Sequence, residues 1–117
     1  MDTAIDRRKV RELLDLTGGD TAFLEDLLQT YVDDTSRRLG ELGAACQEGP
    51  AERVHRAAHG IKGSSSNIGA AEMVRCCVKL EQLARAHDLA SARQAFHDIE
   101  AAFRAVVDDI PAALRTR

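Results

Sequence analysis

Residues 51–69 read Ala51-Glu52-Arg53-Val54-His55-Arg56-Ala57-Ala58-His59-Gly60-Ile61-Lys62-Gly63-Ser64-Ser65-Ser66-Asn67-Ile68-Gly69. Set on a wheel at about 100° per residue, the segment sorts into two arcs. Val54, Ala57, Ala58, Ile61, Ser65 and Ile68 share an arc of roughly 100°, the width of the stripe a helix turns toward a core. His55, His59, Lys62, Gly63 and Ser66 fall together on the neighbouring arc, which is expected to face solvent. The segment reads as an amphipathic helix over Ala51 to Ile68. Gly49-Pro50 opens it, with Pro at the first turn, and Asn67-Ile68-Gly69 closes it.

The same period continues outward in both directions, and no stretch alternates apolar and polar residues long enough to suggest a strand. Downstream, a fourth helix is expected from about Ala70 to Ala86, with Met73, Cys76, Cys77, Leu80, Leu83 and Ala84 inward. His87-Asp88 makes a turn, and Asp88 caps a fifth helix from Leu89 to Asp109. Phe96, Ile99, Phe103, Val106 and Ile110 are its buried face, and Pro111 is expected to stop it. Upstream, a long second helix runs from Thr21 to Gln47 with Phe23, Leu24, Leu27, Leu28, Tyr31, Val32, Leu39 and Leu42 on its stripe. A short first helix covers Thr3 to Asp15, capped by Thr3 with Asp6 three residues on. It turns Ile5, Val10, Leu13 and Leu14 inward, and Thr17-Gly18-Gly19-Asp20 leads out of it.

Short loops between long amphipathic helices make antiparallel neighbours. The expected fold is all-α: an up-down antiparallel four-helix bundle with a short additional N-terminal helix, in one domain over residues 1–117. At 117 residues the chain suits a single domain with a core that needs no metal or disulfide staple. Aromatic residues are 3% of it, so that core is built from Leu, Val, Ile and Ala.

Sixteen Lys and Arg against 19 Asp and Glu leave a net charge of −3, which excludes a protein that lives by neutralising nucleic-acid phosphates. No run of 18 apolar residues offers a membrane span. The charged N-terminus does not resemble a signal peptide, so a cytoplasmic protein is expected. Cys46, Cys76 and Cys77 are odd in number and two are adjacent, which reads as buried, reduced thiols on helices.

The solvent arc of the third helix is odd for an ordinary surface. Gly60 and Gly63 interrupt it, at about 0.5–1 kcal/mol each relative to Ala, and three serines follow. Gly63 lies one turn after His59 and leaves the ring uncovered, and Gly60 and Ser66 keep the surroundings low. Lys62, three residues on, can reach a group carried on the imidazole. A neutral imidazole nitrogen is a good nucleophile at physiological pH. A phosphoryl group placed on it brings negative charge that Lys62 can offset. No residue here supplies magnesium for such a transfer, so the partner must bring it.

Ala58-His59-Gly60-Ile61-Lys62-Gly63-Ser64-Ser65-Ser66-Asn67-Ile68-Gly69-Ala70 resembles the signature of histidine-containing phosphotransfer (HPt) domains, His-x-x-Lys-Gly followed by small residues, an apolar residue and Gly. The resemblance extends to Cys77, Leu80-Glu81 and Ala84-Arg85 and spans most of the chain. It implies that His59 is the phosphorylated residue, that Lys62 stabilises the phosphoryl group and that Gly63 gives clearance. It further implies that Glu81 can orient the ring and that Arg85 is a peripheral charge near a docking surface. His55 and Ser66, on the same helix face as His59, are read as lining that surface, or, for His55, as simply solvated. Gly60 stands where the family often has a larger residue. The family works without ATP and carries phosphate between receiver-domain aspartates of response regulators. Its members stand alone or belong to hybrid sensor histidine kinases. The implied partners are therefore receiver domains and such a kinase, with no bound cofactor, no nucleic acid and no membrane, and the open face suits a monomer.

Two other readings start from the same residues. A regulatory or scaffolding bundle would bind receivers or other signalling proteins without transferring phosphate. A small metal-binding bundle would use His55 and His59, one turn apart, but a structural zinc site usually needs four ligands.

Overall fold

The structure, a computed structural model, describes residues 3–116. The described residues form five helices and no strand: α1 (Arg7–Leu16), α2 (Thr21–Glu48), α3 (Ala51–Ile68), α4 (Ala71–Arg85) and α5 (Leu89–Ala113). α2 packs on α3, α3 on α4, α4 on α5, and α5 returns to α2, so the long helices close a four-membered ring.

Two contacts across each of three helix pairs give the helix directions. Tyr31 bonds Ser65 and Arg38 lies over Gly60, so α2 and α3 run oppositely. His59 meets Glu81 and His55 meets Arg85, which does the same for α3 and α4. Tyr31 lies against Phe103, and the carbonyl of Cys46 accepts from Arg93, so α2 and α5 are also antiparallel.

Three of the five helices, α1, α2 and α5, begin where a side chain accepts a free amide. Asp20 accepts from the Phe23 N–H at 3.0 Å and Asp88 from the Ser91 N–H at 3.0 Å. α3 starts at Ala51 with Pro50 one residue earlier, at the cap rather than in the first turn. Gly69 ends α3 at φ 78°, a left-handed conformation that side chains disfavour, while Lys9 and Asp6 crowd the space a Cβ would need.

Two helix boundaries differ from the sequence expectation by more than one residue. α1 begins at Arg7, capped by Asp6, whose carboxylate accepts from the Arg8 N–H at 2.9 Å; Thr3 does not cap it. The residues before it are held by long-range bonds instead. Asp109 takes the Ile5 N–H at 2.9 Å and forks onto Arg7 at 2.8 and 2.9 Å, while the Asp6 N–H reaches the Gly69 carbonyl at 2.9 Å. These bonds gather α1, the end of α3 and the end of α5 at one end of the molecule. Pro111 does not stop α5, which continues to Ala113. One missing amide near the end of a helix removes one bond, and the buried Ala113 and the Leu114 N–H to Ile110 carbonyl bond keep the last turn wound.

The core is aliphatic: Ile5, Leu24, Leu28, Leu42, Val54, Ile61, Ile68, Met73, Leu80, Ile99 and Val106 are fully buried. Phe23 departs from the expected stripe and is 48% exposed, because the buried line of α2 runs through Leu24, Leu28, Tyr31, Leu39 and Leu42 and Phe23 stands about 100° round the helix from Leu24. Cys46 and Cys77 are buried free thiols, and burial pushes the Cys77 thiol up to about 12. Cys76 is only half-buried.

Candidate functional site

The phase of α3 on the core decides where His59 stands. Val54, Ala58, Ile61, Ser65 and Ile68 are buried against α2 and α4, which rolls His59 to the rim of the α3–α4 groove. Its side chain is 67% exposed. On α4, Met73, Cys77, Leu80 and Ala84 face the core, and Glu81 sits beside Leu80 on the edge that meets α3.

Glu81 is 3% exposed, and an unpaired carboxylate there would be costly. Both of its oxygens are occupied. Lys62 Nζ donates to Oε1 at 2.7 Å, and Oε2 lies 3.0 Å from His59 Nδ1. Burial is the largest single influence on this carboxyl and pushes its pKa up. The hydrogen bonds from Lys62 and His59 and the nearby charges of Lys62 and His55 outweigh burial and hold it below the usual carboxylate value.

An ionised carboxylate accepts and cannot donate. His59 Nδ1 must therefore carry the hydrogen, which in the neutral ring leaves the lone pair on Nε2. That nitrogen makes no hydrogen bond among the described residues. In its neutral form the ring presents Nε2 as an unprotonated nitrogen at the surface, with its opposite edge anchored in the groove.

The surroundings divide between two helices. The His55 ring lies nearly parallel to that of His59, with centroids 6.2 Å apart and planes at 9°. His55 Nε2 is 3.6 Å from Glu81 Oε2 and 3.4 Å from Arg85 Nη2. A Cβ on Gly63 would meet no atom within 4 Å, so the surface after His59 is open. Gly60 differs from the expectation that it merely keeps the surface low. The space its Cβ would fill is taken by the Arg38 guanidinium, reaching over from α2 and paired through Nε with Asp34 at 2.8 Å.

Of the residues singled out from sequence, His59, Lys62, Glu81, His55 and Arg85 come together. Lys62 and His55 are half-buried rather than open to solvent, and Lys62 rests on Glu81, not on the imidazole. Ser66 is exposed on the same face but about 10 Å further along the axis, two turns past His59, and lines a hollow with Asp6, Gly69 and Arg75 instead. Arg38 and Asp34 were not foreseen. Their one sequence signal is a glycine inside a helix, which marks a close approach without naming what approaches. Among the described residues no three His, Cys, Asp or Glu side chains form a metal-ligating group, and no helix is long and apolar enough to cross a membrane.

The comparisons agree with this site. The family model described as Hpt domain matches residues 26–113, which include His59, Lys62 and Glu81. A crystal structure of histidine-containing phosphotransfer protein B (HptB) from Pseudomonas aeruginosa PAO1 superposes with a TM-score of 0.86 at 31% identity, covering 100% of both chains. A histidine-containing phosphotransfer protein from maize shares the fold at a TM-score of 0.84 and 22% identity, over 97% of this chain and 84% of that one. A search of curated protein sequences returned no match. A helical chain with an exposed, carboxylate-anchored histidine, matched by that family over three quarters of its length, belongs to the Hpt domain family, the phosphocarrier modules of two-component signalling.

Proposed function

We propose that the chain is a phosphorelay intermediate, an up-down four-helix bundle with a short N-terminal helix. It accepts a phosphoryl group on His59 from a receiver-domain aspartate and passes it to another receiver. The observation that carries this reading is the His59–Glu81 pair: the buried carboxylate holds Nδ1–H and leaves Nε2 as an exposed nucleophile. Orientation by Glu81 keeps the ring in one rotamer and tautomer. Lys62 swings from Glu81 to the incoming phosphoryl oxygens and offsets their charge. Gly63 leaves room for the partner, while His55 and Arg85 border the docking surface.

The carboxylate nearest the ring has both oxygens engaged by Lys62 and His59 and is a poor magnesium ligand. Magnesium is therefore assigned to the receiver. On this reading the phosphoryl group comes not from ATP but from an already phosphorylated receiver, including one in a hybrid sensor kinase. A monomer in the cytoplasm suits this exchange.

The test is incubation with a phosphorylated receiver and intact-mass detection of acid-labile, alkali-stable phosphate, with His59→Gln alongside. Label on the native chain and none on the variant is expected. A folded chain that binds receivers but takes no label from several donors would overturn the reading in favour of a regulatory scaffold.

A further inference from the structure

Orientation alone does not need a charge beside His59. A neutral amide oxygen would hold the Nδ1–H as well, and it would sit in a buried groove without the desolvation cost that a carboxylate carries. Glu81 is nonetheless ionised, nearly inaccessible to water, and placed on the far side of the ring from the free nitrogen.

The chemistry of the transfer shows what the charge can do. Nε2 attacks the phosphorus of the aspartyl phosphate. The bond formed is N–P, and the bond broken is the P–O bond to the receiver carboxylate, whose oxygen keeps the electron pair. No proton is released while Nδ1 retains its hydrogen, so the ring, neutral before, carries a unit positive charge afterwards. The Nδ1–H···Oε2 contact then changes from a hydrogen bond donated by a neutral ring into a contact between two opposite charges, the stronger kind. At the same time Lys62 has a new partner in the phosphoryl oxygens, and leaving Oε1 frees the full carboxylate charge for the ring.

Building on the proposed carrier function, we infer that Glu81 sets the phosphoryl-transfer equilibrium: its negative charge stabilises the cationic phospho-imidazole, so phosphate rests on His59 rather than on the receiver aspartate. The other charges facing this pair define the background. His55 and Lys62 on α3 and Arg85 on α4, the last acting through His55, are positive or can become so, and Arg38 reaches Gly60 from α2. Glu81 is the one carboxylate that these contacts bring to the His59 ring. A surface carrying those cations would on its own disfavour a charged ring, so the effect is assigned to this side chain.

Two measurements test the inference on the full chain. First, the native protein is phosphorylated with phosphoramidate, a small donor that needs no partner, and the proton on the phosphorylated ring is followed against pH by ¹⁵N NMR. In the folded chain its loss is expected about one pH unit or more above that in the same phosphorylated chain unfolded in urea, the tenfold that separates a charge-assisted from a neutral hydrogen bond. Second, Glu81→Gln is equilibrated with a phosphorylated receiver. The ratio of phospho-histidine to phospho-aspartate is expected to fall about tenfold. A folded-chain titration equal to that in urea, an unchanged ratio in Glu81→Gln, or a folded Glu81→Gln that takes no label at all would each overturn the inference and leave Glu81 as a positioning residue. Failure of the native chain to take label from either donor would instead overturn the carrier function itself.

Discussion

Gly63→Ala should make the protein more stable and worse at its task. Gly63 lies inside α3, where Gly costs about 0.5–1 kcal/mol relative to Ala through backbone entropy. The added Cβ would meet no heavy atom within 4 Å, so no clash offsets the gain. The variant should unfold a few degrees higher, on a scale of about 4–8 °C per kcal/mol for domains near this size. The same methyl stands one turn after His59, about 5–6 Å away between Cβ atoms, on the face where a receiver must bring its aspartyl phosphate in line with Nε2. Displacing that approach by about 1 Å costs on the order of a hundredfold in rate. Initial transfer from a phosphorylated receiver should therefore fall by at least tenfold, read by stopped-flow or gel. Labelling by phosphoramidate, which needs no docked surface, should not change. Gly60→Ala is the matched control: it gains the same helix propensity and displaces only the end of the flexible Arg38 side chain. Its transfer rate should fall less. Gly63→Ala that transfers at the native rate would refute the clearance argument, and a lowered melting temperature would refute the reading of open space.

Asp109→Asn should cost about 1–3 kcal/mol at neutral pH, because the Arg7 guanidinium loses its forked partner where both groups are largely shielded. The Arg7 hydrogen bond holds the Asp109 carboxyl below its usual value, so the stabilisation is complete above about pH 4 and disappears as pH falls through the lowered pKa. Denaturant midpoints of variant and native protein should converge on acidification, and a constant gap would contradict the assignment. Tyr31→Phe should destabilise by about 1–3 kcal/mol by leaving the buried Ser65 hydroxyl without its 2.7 Å partner. Adding Ser65→Ala should recover part of that loss, and strict additivity in the cycle would show that the bond contributes nothing. A neutral alkylating reagent at pH 8 should modify only Cys76 in the native chain, and slowly, since burial and the neighbouring Glu72 and Asp98 raise its pKa. Rapid native modification of Cys77 would contradict its burial and its pKa of about 12.

Helix identity was legible because long apolar stripes repeat with one period, and the Asp88 cap lies where the sequence places it. The boundary at α1 was not, because Ile5 and Arg7 are fixed by Asp109, about a hundred residues away, and no local pattern encodes that bond. Pro111 misled for a related reason: the rule against helical proline concerns an interior bond, and the buried Ala113 holds the last turn regardless. At the site, the α3 wheel placed His59, Lys62 and Gly63 on one face, since a single helix determines their spacing. The proximity of Glu81 depends on the register of α4 against α3, and that of Arg38 on α2 against α3. Register is set by packing between elements, so the family resemblance pointed to Glu81 while nothing pointed to Arg38.

The poor helix formers of α3 and its buried anchors belong to one balance. Gly60 and Gly63 together cost about 1–2 kcal/mol of intrinsic helicity, and three consecutive serines add to it. Val54, Ile61 and Ile68 are fully buried, and burial of such side chains is worth about 1.5–3 kcal/mol each. Core contacts therefore wind α3, and its outer face is released from any duty to stabilise the helix. Only such a face can keep a gap at Gly63 and admit Arg38 over Gly60. The same reasoning applies across the groove. Leu80 and Cys77 fix α4 against the core, so Glu81 has no freedom to withdraw from burial, and its charge must be met by Lys62 and His59. The tautomer of the nucleophile is thus tied to the core packing beneath it. A large-to-small change at Leu80 should loosen the His59 anchor even though Leu80 is wholly buried in the core.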